Sequence, residues 1–195
     1  MSLKGSKTTS AYIEWDTVQS LILKLRRDGD WKFSLIVAIG SYTGLRISDI
    51  LVLKWIDILD KDTVELTEKK TKKYRKITIN PQFKAIIASI YNGLEYVSRD
   101  ELIFINRWGT GAITSQYVNH KLKQIAKKYK ITKDPSTIKS HSLRKSFGRR
   151  VFENNDNSDK ALIILSEMLN HSSIKTTKIY LGIREAEIQD VYVNL

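Results

Sequence analysis

The chain contains no cysteine and only three histidines among its 195 residues. The lack of cysteine excludes disulfides and thiolate metal sites, and three histidines provide little for a zinc centre. No apolar run is long enough to span a bilayer, and the N-terminus has no apolar signal core. We therefore expect a cytoplasmic protein that uses no metal or other cofactor and does not contact a membrane.

Positive charge is in large excess, with a formal net charge of +12 at pH 7 and a pI of about 9.7. Such a chain repels itself unless a polyanion neutralises it, so nucleic acid or an anionic membrane surface is the expected partner. Because nothing in the sequence predicts a membrane segment, double-stranded DNA is the favoured partner.

The length allows one sizeable hydrophobic core, and a single domain is the simplest organisation. Residues 1–10 are polar, small and basic without an apolar period, which is typical of a flexible arm or of a remnant left by cloning. We therefore expect residues 11–195 to form one folded domain.

Hydrophobic periodicity predicts a mainly α domain with a small antiparallel β-sheet (α+β). The alternation at Thr63–Thr67 and at 76–79 predicts two strands joined by a basic loop over 68–75. Helical spacing predicts a helix over 14–25 with Asp16 as its cap, a helix that begins near Arg46 and one that begins after Asn80. Further helices are predicted over 31–42, 116–129, 141–152, 160–169 and 174–180.

Three short blocks supply the chemistry-bearing residues of the chain. A Thr-Gly-Leu-Arg run ends at Arg46, a His-Ser-Leu-Arg run extends from His141 to Arg144, and a Leu-Asn-His run ends at His171. Tyr180 follows that histidine by nine positions. Two arginines, two imidazoles and a phenol are the groups needed to cleave a phosphodiester without a metal.

Arg46 lies where a helix is predicted to begin, and the helix dipole is positive at that end. A helix start combined with a guanidinium forms a good phosphate cradle. The competing interpretation is a local ion pair with Asp49, three residues further along, and both can hold if that carboxylate supports the guanidinium.

His141 and Arg144 are three residues apart, so a helix would project both from one face. Such a pair is most often a surface pair. Here the apolar neighbours Ile138, Leu143 and Phe147 predict burial, which is costly for an unpaired arginine. We therefore expect these two side chains to bind a phosphate group rather than to form an ordinary surface pair.

Tyr180 is one of nine tyrosines, so its position rather than its identity distinguishes it. An unperturbed phenol has a pKa of about 10 and is protonated at neutral pH. We expect nearby arginines and imidazoles to favour the phenolate. His171 follows a predicted apolar helix, and the alternative for such a histidine is an ordinary helix cap or an exposed ring.

The ordered blocks from Thr43 to Tyr180 resemble the tyrosine recombinases, also called the phage integrase family. The resemblance implies the mainly helical fold with a small sheet and a nucleophilic role for Tyr180. It implies charge stabilisation by Arg46, Arg144 and His171, and assistance of proton transfer by His141.

The same resemblance places a leaving-group acid on the hairpin. Lys70 is our choice because it precedes Thr71, in the Lys-Thr arrangement that is common among related integrases. The remaining basic residues of the tract and of the helix that carries Arg144 are expected to contact the DNA backbone, and these are Lys69, Lys72, Lys73, Lys139, Lys145 and Arg149.

The resemblance also implies site-specific DNA recombination for a mobile element such as a phage or a conjugative transposon, through a 3′-phosphotyrosyl intermediate. We expect the chain to correspond to the catalytic domain without the family's N-terminal DNA-clamping domain, and we expect the parent protein to act as a homo-tetramer on DNA. The alternatives are a type IB topoisomerase and a DNA-binding module without catalysis.

Overall fold

The computed structural model of the protein describes residues 10–183 and 192–194. The described part is mainly helical, with one antiparallel two-stranded sheet. In chain order, the elements are α1 Trp15–Arg27, α2 Trp31–Thr43, α3 Ile47–Ile50, α4 Trp55–Ile58, β1 Thr63–Thr67, β2 Tyr74–Thr78, α5 Pro81–Tyr91, α6 Ser115–Lys128, a 3-10 turn Pro135–Thr137, α7 Ser140–Glu153, α8 Asp159–Met168 and α9 Ile174–Leu181. The predicted fold class is confirmed, and no helix of these residues could cross a membrane.

Helix α2 is the central element of the domain, and every residue from Phe33 to Thr43 is buried. It packs against α1, α5 and α7. Its almost uniformly apolar sequence suits this position, because a helix surrounded by other helices needs no polar face. Gly44 ends it in a left-handed conformation, two residues before Arg46, the predicted phosphate-binding arginine.

Two predicted details of the N-terminal region need correction. The N-cap of α1 is Glu14, and Asp16 lies in the first helical turn, where a carboxylate complements the helix dipole. The predicted arm ended at Ser10, but that residue is buried and its main-chain oxygen accepts a hydrogen bond from Lys145 Nζ at 2.9 Å. Residues 1–9 lie outside the described residues.

The hairpin is confirmed, but its second strand starts two residues earlier than predicted. Its register pairs Val64 with Ile77 and Leu66 with Arg75, so the loop comprises only residues 68–73. Because alternate residues of a strand share a face, Arg75 is directed inward with Ile77. Because Arg75 follows a basic tract, the sequence predicted it as a loop residue. In the structure it is a buried strand residue whose charge is compensated by the buried Glu68 carboxylate.

Helices α3 and α4 contain four residues each. The start of α3 at Arg46 is confirmed, and α4 was missed because one turn is too short to produce a periodic signal. The longer helices α5 to α9 agree with the predicted segments to within a few residues, which is the usual uncertainty of helix ends.

Helix α7 separates two hydrophobic clusters. Leu143 belongs to the larger one around α2, while Phe147 belongs to a smaller one built with α8 and α9. A Cβ at Gly40 would lie 2.8 Å from the Leu143 side chain, and a Cβ at Gly148 would lie 2.9 Å from the Leu181 side chain. These close approaches fix α7 between its neighbours, and α7 carries both His141 and Arg144.

We expect Gly44→Ala to destabilise the domain far more than Gly29→Ala does. Both glycines have positive φ, but only at Gly44 would a Cβ meet another side chain, Phe147 Cδ1 at 2.5 Å. The left-handed backbone should cost each variant about 1 kcal/mol, and overpacking should add roughly 1–3 kcal/mol at Gly44. Urea unfolding measures the decrease in the free energy of unfolding of each variant, and equal decreases would contradict the packing argument.

Candidate active site

Five of the six predicted catalytic residues come from four separate parts of the fold, and the sixth, Lys70, lies on the hairpin loop. Arg46 precedes α3, His141 and Arg144 lie on the first turns of α7, His171 follows α8, and Tyr180 is near the end of α9. The rings of His171 and Tyr180 contact each other edge to face, with centroids 5.1 Å apart. The Tyr180 hydroxyl donates to the main-chain oxygen of His141 over 3.4 Å. The structure therefore brings these side chains into one cluster.

Arg144 lies at the centre of this cluster and is 4% exposed. Its guanidinium donates to the main-chain oxygens of Gly44, at the end of α2, and of Leu169, at the end of α8. Burial, together with the charges of Arg46 and Arg75, lowers its pKa to about 10 against the opposing effect of Tyr180. Arg144 is therefore still charged at neutral pH. Its two hydrogen bonds connect the end of α2 with the end of α8.

The partner of Arg46 differs from the prediction. Its Nη1 donates to Glu68 Oε2 at 2.6 Å, and the expected ion pair with Asp49 does not form between these two described residues. Asp49 instead accepts the main-chain N–H of Lys69 at 2.9 Å, and its second oxygen has no hydrogen-bond partner among the described residues. The predicted supporting carboxylate thus holds the hairpin rather than the arginine.

Glu68 is the functional candidate that sequence reasoning missed, and its side chain is 0% exposed. It accepts hydrogen bonds from Arg46 and from the Thr71 hydroxyl, from Arg75 Nη1 at 3.2 Å and from Asn170 Nδ2 at 3.3 Å. Burial raises its pKa, but these hydrogen bonds and the arginine charges outweigh burial and lower the pKa to about 2. A charged carboxylate therefore balances the arginine cluster.

Both histidines of the cluster are neutral at neutral pH. Burial and the charges of Arg144 and Arg46 lower the pKa of His171 to about 4, and its Nδ1 lies 2.9 Å from the Thr177 hydroxyl. Desolvation, followed by the charges of Arg144 and Lys70, lowers the pKa of His141. A neutral imidazole can accept a proton or donate a single N–H.

The predicted effect of the arginines on the Tyr180 phenol is present in the protein without DNA, but it does not decide the protonation state of the phenol. Arg144 and Arg46 do lower the pKa of the phenol, but burial outweighs them and raises that pKa to about 12. The Lys145 ammonium lies 5.6 Å from the centre of the tyrosine ring. The phenol therefore stays protonated at neutral pH and must lose its proton as it reacts.

The charge of Lys70 reaches the cluster, because it contributes to the lowered pKa of His141. Its side chain is exposed, as are those of Lys69, Lys72 and Lys73. The loop main chain is closed by two hydrogen bonds between residue 68 and the opposite side of the loop, from Lys72 N to Glu68 O and from Glu68 N to Lys73 O, both at 2.9 Å.

The other predicted backbone contacts are partly engaged within the protein. Lys145 donates to Ser10 O, and Arg149 pairs with Glu153 at 2.7 Å one helical turn further along. Lys139 is half-buried and precedes the first turn of α7, where its main-chain N–H donates to the Ser142 hydroxyl. Contact of these three residues with DNA stays a prediction.

We expect Glu68→Gln to destabilise the protein by about 3 kcal/mol near neutral pH, because the pKa of Glu68 is about 2 in the folded state and 4.5 for a free glutamate side chain. A carboxyl with a lowered folded pKa stabilises above its unfolded pKa and loses that stabilisation as the pH falls. The difference from wild type should therefore shrink between about pH 4.5 and 2. Urea unfolding at pH 7, 4 and 3 measures it, and a difference that does not change with pH would contradict the assignment.

Sequence comparisons identify the family of the chain. The model of the phage integrase family matches residues 12–187. The probable integrase/recombinase YoeC of Bacillus subtilis is 33% identical over 174 residues, which cover 89% of this chain and 87% of YoeC. Tyrosine recombinase XerH of Campylobacter jejuni is 29% identical over 150 residues, or 75% of this chain. The chain spans 40% of XerH and 61% of a XerD from Lacticaseibacillus casei.

Solved structures of the same class share the fold. The XerA recombinase superposes with a TM-score of 0.70 at 20% identity, over 100% of this chain and 66% of that chain. The catalytic domain of bacteriophage HP1 integrase superposes with a TM-score of 0.58 at 20% identity, over 89% of this chain and 88% of that chain. The chain therefore belongs to the phage integrase family and has the fold of a tyrosine recombinase catalytic domain.

Proposed function

We propose that this chain is the catalytic domain of a site-specific recombinase that cleaves and rejoins double-stranded DNA through a 3′-phosphotyrosyl intermediate. The observation that carries the proposal is the convergence of Tyr180 with Arg46, Arg144, His141 and His171 from distant parts of the sequence. The relatives also support the proposal, since solved structures show a XerH site-specific recombinase bound to difH substrate and the Tn1549 transposon integrase bound to a circular intermediate DNA.

In the proposed cleavage step, the Tyr180 phenol oxygen attacks the scissile phosphorus while the bond from phosphorus to the 5′ oxygen breaks. The phenolic proton passes to His141, whose lowered pKa leaves the ring neutral and able to accept it. Lys70 protonates the departing 5′ oxygen, so the products are a phosphotyrosyl link and a 5′-hydroxyl. A 5′-hydroxyl from another duplex reverses these transfers and rejoins the strand without an external energy source.

Arg46 and Arg144 stabilise the charge that develops on the non-bridging oxygens, which is the electrostatic preorganisation that dominates many enzyme reactions. His171 contributes a neutral N–H. Nδ1 lies 2.9 Å from the Thr177 hydroxyl; in the tautomer that this scheme requires, the hydroxyl donates to Nδ1 and the ring hydrogen lies on Nε2, the nitrogen left for a phosphate oxygen. A high Tyr180 pKa suits this scheme, because a protonated phenol does not attack before the phosphate is in place.

We further propose that four copies act on two duplexes in the cytoplasm, on nucleoid DNA, to move a phage or a conjugative transposon. This part rests on the family membership and on the net charge of +12, which suits binding to DNA. Mass photometry with a duplex selected as described below should detect four protomers with two duplexes. A complex that never exceeds one protomer per duplex would contradict this assembly.

The proposal is tested with a library of nicked duplexes of random sequence. Cleavage close to a nick releases a short fragment, so the protein stays covalently attached to the DNA after denaturation in SDS. Sequencing the attached DNA then yields a selected duplex for later assays.

We expect adduct formation to persist in EDTA. We also expect binding of the protein to DNA to weaken steeply as the salt concentration rises, because phosphate contacts release counterions. No adduct at all, or an adduct that needs magnesium, would contradict the proposal, and relaxation of supercoiled plasmid without strand exchange would indicate a topoisomerase.

A further inference from the structure

Glu68 is a fully buried carboxylate with partners from three segments of the chain. Carboxylates are almost never fully buried unless they are paired. Here the partners are Arg46 ahead of α3, Thr71 and Arg75 from the hairpin, and Asn170 in the turn after α8. One side chain thus connects three parts of the fold that are far apart in sequence.

Each of these three segments carries a residue of the proposed reaction. Arg46 is itself a phosphate ligand in that scheme, Thr71 is next to Lys70, and Asn170 is next to His171. A displacement of the Glu68 carboxylate therefore disturbs the proposed phosphate ligand, the proposed acid and the proposed N–H donor together.

The residues on both sides of Lys70 are anchored by hydrogen bonds. Before it, the N–H of Lys69 donates to Asp49 Oδ1 at 2.9 Å. After it, the Thr71 hydroxyl donates to Glu68. A lysine side chain is long and flexible, so these two anchors determine the region that its ammonium group can reach.

We infer that Glu68 is a positioning residue that aligns the Lys70 loop with the phosphate-binding Arg46. The inference rests on the proposed function and adds a residue to it. Glu68 does not touch the phosphate in this account. It engages one nitrogen of the Arg46 guanidinium, and a guanidinium has five N–H donors, so the remaining donors of this 18% exposed side chain can bind DNA.

The test compares Glu68→Gln with the matched control Glu65→Gln. Glutamine keeps the shape and an acceptor oxygen for Thr71 but removes the charge. Glu65 lies on the same hairpin and pairs with Lys76 on its exposed side. Cleavage is measured in single turnovers on saturating amounts of the selected duplex, at a temperature where circular dichroism shows all variants folded. We expect Glu68→Gln to cleave about 10–100 times more slowly, by analogy with the loss that follows removal of a residue that orients a metal ligand, while Glu65→Gln stays near wild type.

A second substrate with sulfur at the 5′ bridging position separates positioning from a merely structural role. Its thiolate leaving group needs no acid, so the part of the Glu68→Gln defect that acts through Lys70 should disappear and the defect should shrink severalfold, in parallel with Lys70→Ala. A folded Glu68→Gln protein that cleaves normally would overturn the inference, and so would an equal defect on both substrates. Wild-type protein that forms no adduct would instead contradict the proposed function.

Discussion

Tyr180→Phe is expected to lower the rate of covalent adduct formation on the selected duplex by several orders of magnitude, because the variant lacks the nucleophile. DNA affinity should stay within about threefold of wild type, since phosphate contacts by lysine and arginine dominate it. Folding should also be preserved, because the ring contact with His171 remains and the lost hydrogen bond is long, at 3.4 Å. Adducts are quantified on denaturing gels and affinity is measured by fluorescence anisotropy.

Tyr192→Phe is the matched control for this loss. Tyr192 lies close to the C-terminus and is 74% exposed. Its side chain is therefore accessible to DNA. We expect this variant to form adducts at the wild-type rate. Adducts that survive Tyr180→Phe and disappear with Tyr192→Phe would move the nucleophile to the later tyrosine.

Lys70→Ala is expected to produce the second large effect, a loss of roughly 100- to 10,000-fold in cleavage rate, which is the usual contribution of a general acid. Binding should change little, because Lys69, Lys72 and Lys73 remain exposed on the same loop. The physical reason is the leaving group, since an alkoxide leaves slowly unless it is protonated as the bond breaks. Single-turnover cleavage of the selected duplex measures this loss.

The sulfur-bridged duplex again provides the decisive control. A thiol has a pKa near 8.5, far below that of an alcohol, so it leaves without an acid. This substrate should restore Lys70→Ala nearly to the wild-type rate. Arg46→Ala should gain no comparable rescue, because it removes stabilisation of phosphate charge. Rescue of Lys69→Ala, Lys72→Ala or Lys73→Ala instead would assign the acid to that lysine.

Much of the fold could be predicted from the sequence, because its signals are local. The apolar run of α2 and the amphipathic spacing of α5 to α9 depend on neighbouring residues, and periodicity reports them directly. The cluster of Arg46, Arg144 and Tyr180 could be predicted for a different reason, since its residues lie in ordered motif blocks. The single-turn helix α4 gave no comparable signal.

Glu68 could not be predicted, because its burial depends on contacts between distant positions. In the sequence it begins a run rich in lysine and reads as a solvated loop residue. Its partners Arg46 and Asn170 lie 22 and 102 positions away, and no local pattern reports such contacts. The local alternative for Arg46, an ion pair with the neighbouring Asp49, was the carboxylate partner that the sequence offered, and the structure pairs Arg46 with Glu68 instead.

The Tyr180 pKa illustrates a second limit of sequence reasoning. The sequence reveals which cations share the site, and these do lower the pKa of the phenol, as expected. The opposing effect is desolvation, which depends on how tightly the ring packs against the rest of the fold. Burial is the larger effect here, so the charges alone predicted the wrong direction.

The central claim is tested most directly by mapping the covalent bond. Wild-type adduct with the selected duplex is digested with nuclease and trypsin, and the peptide that retains a nucleotide is sequenced by mass spectrometry. The account predicts a 3′-phosphotyrosyl link on Tyr180, formed in EDTA and accompanied by a free 5′-hydroxyl. A nucleotide attached to another residue, or a link to the 5′ end of the broken strand, would contradict it.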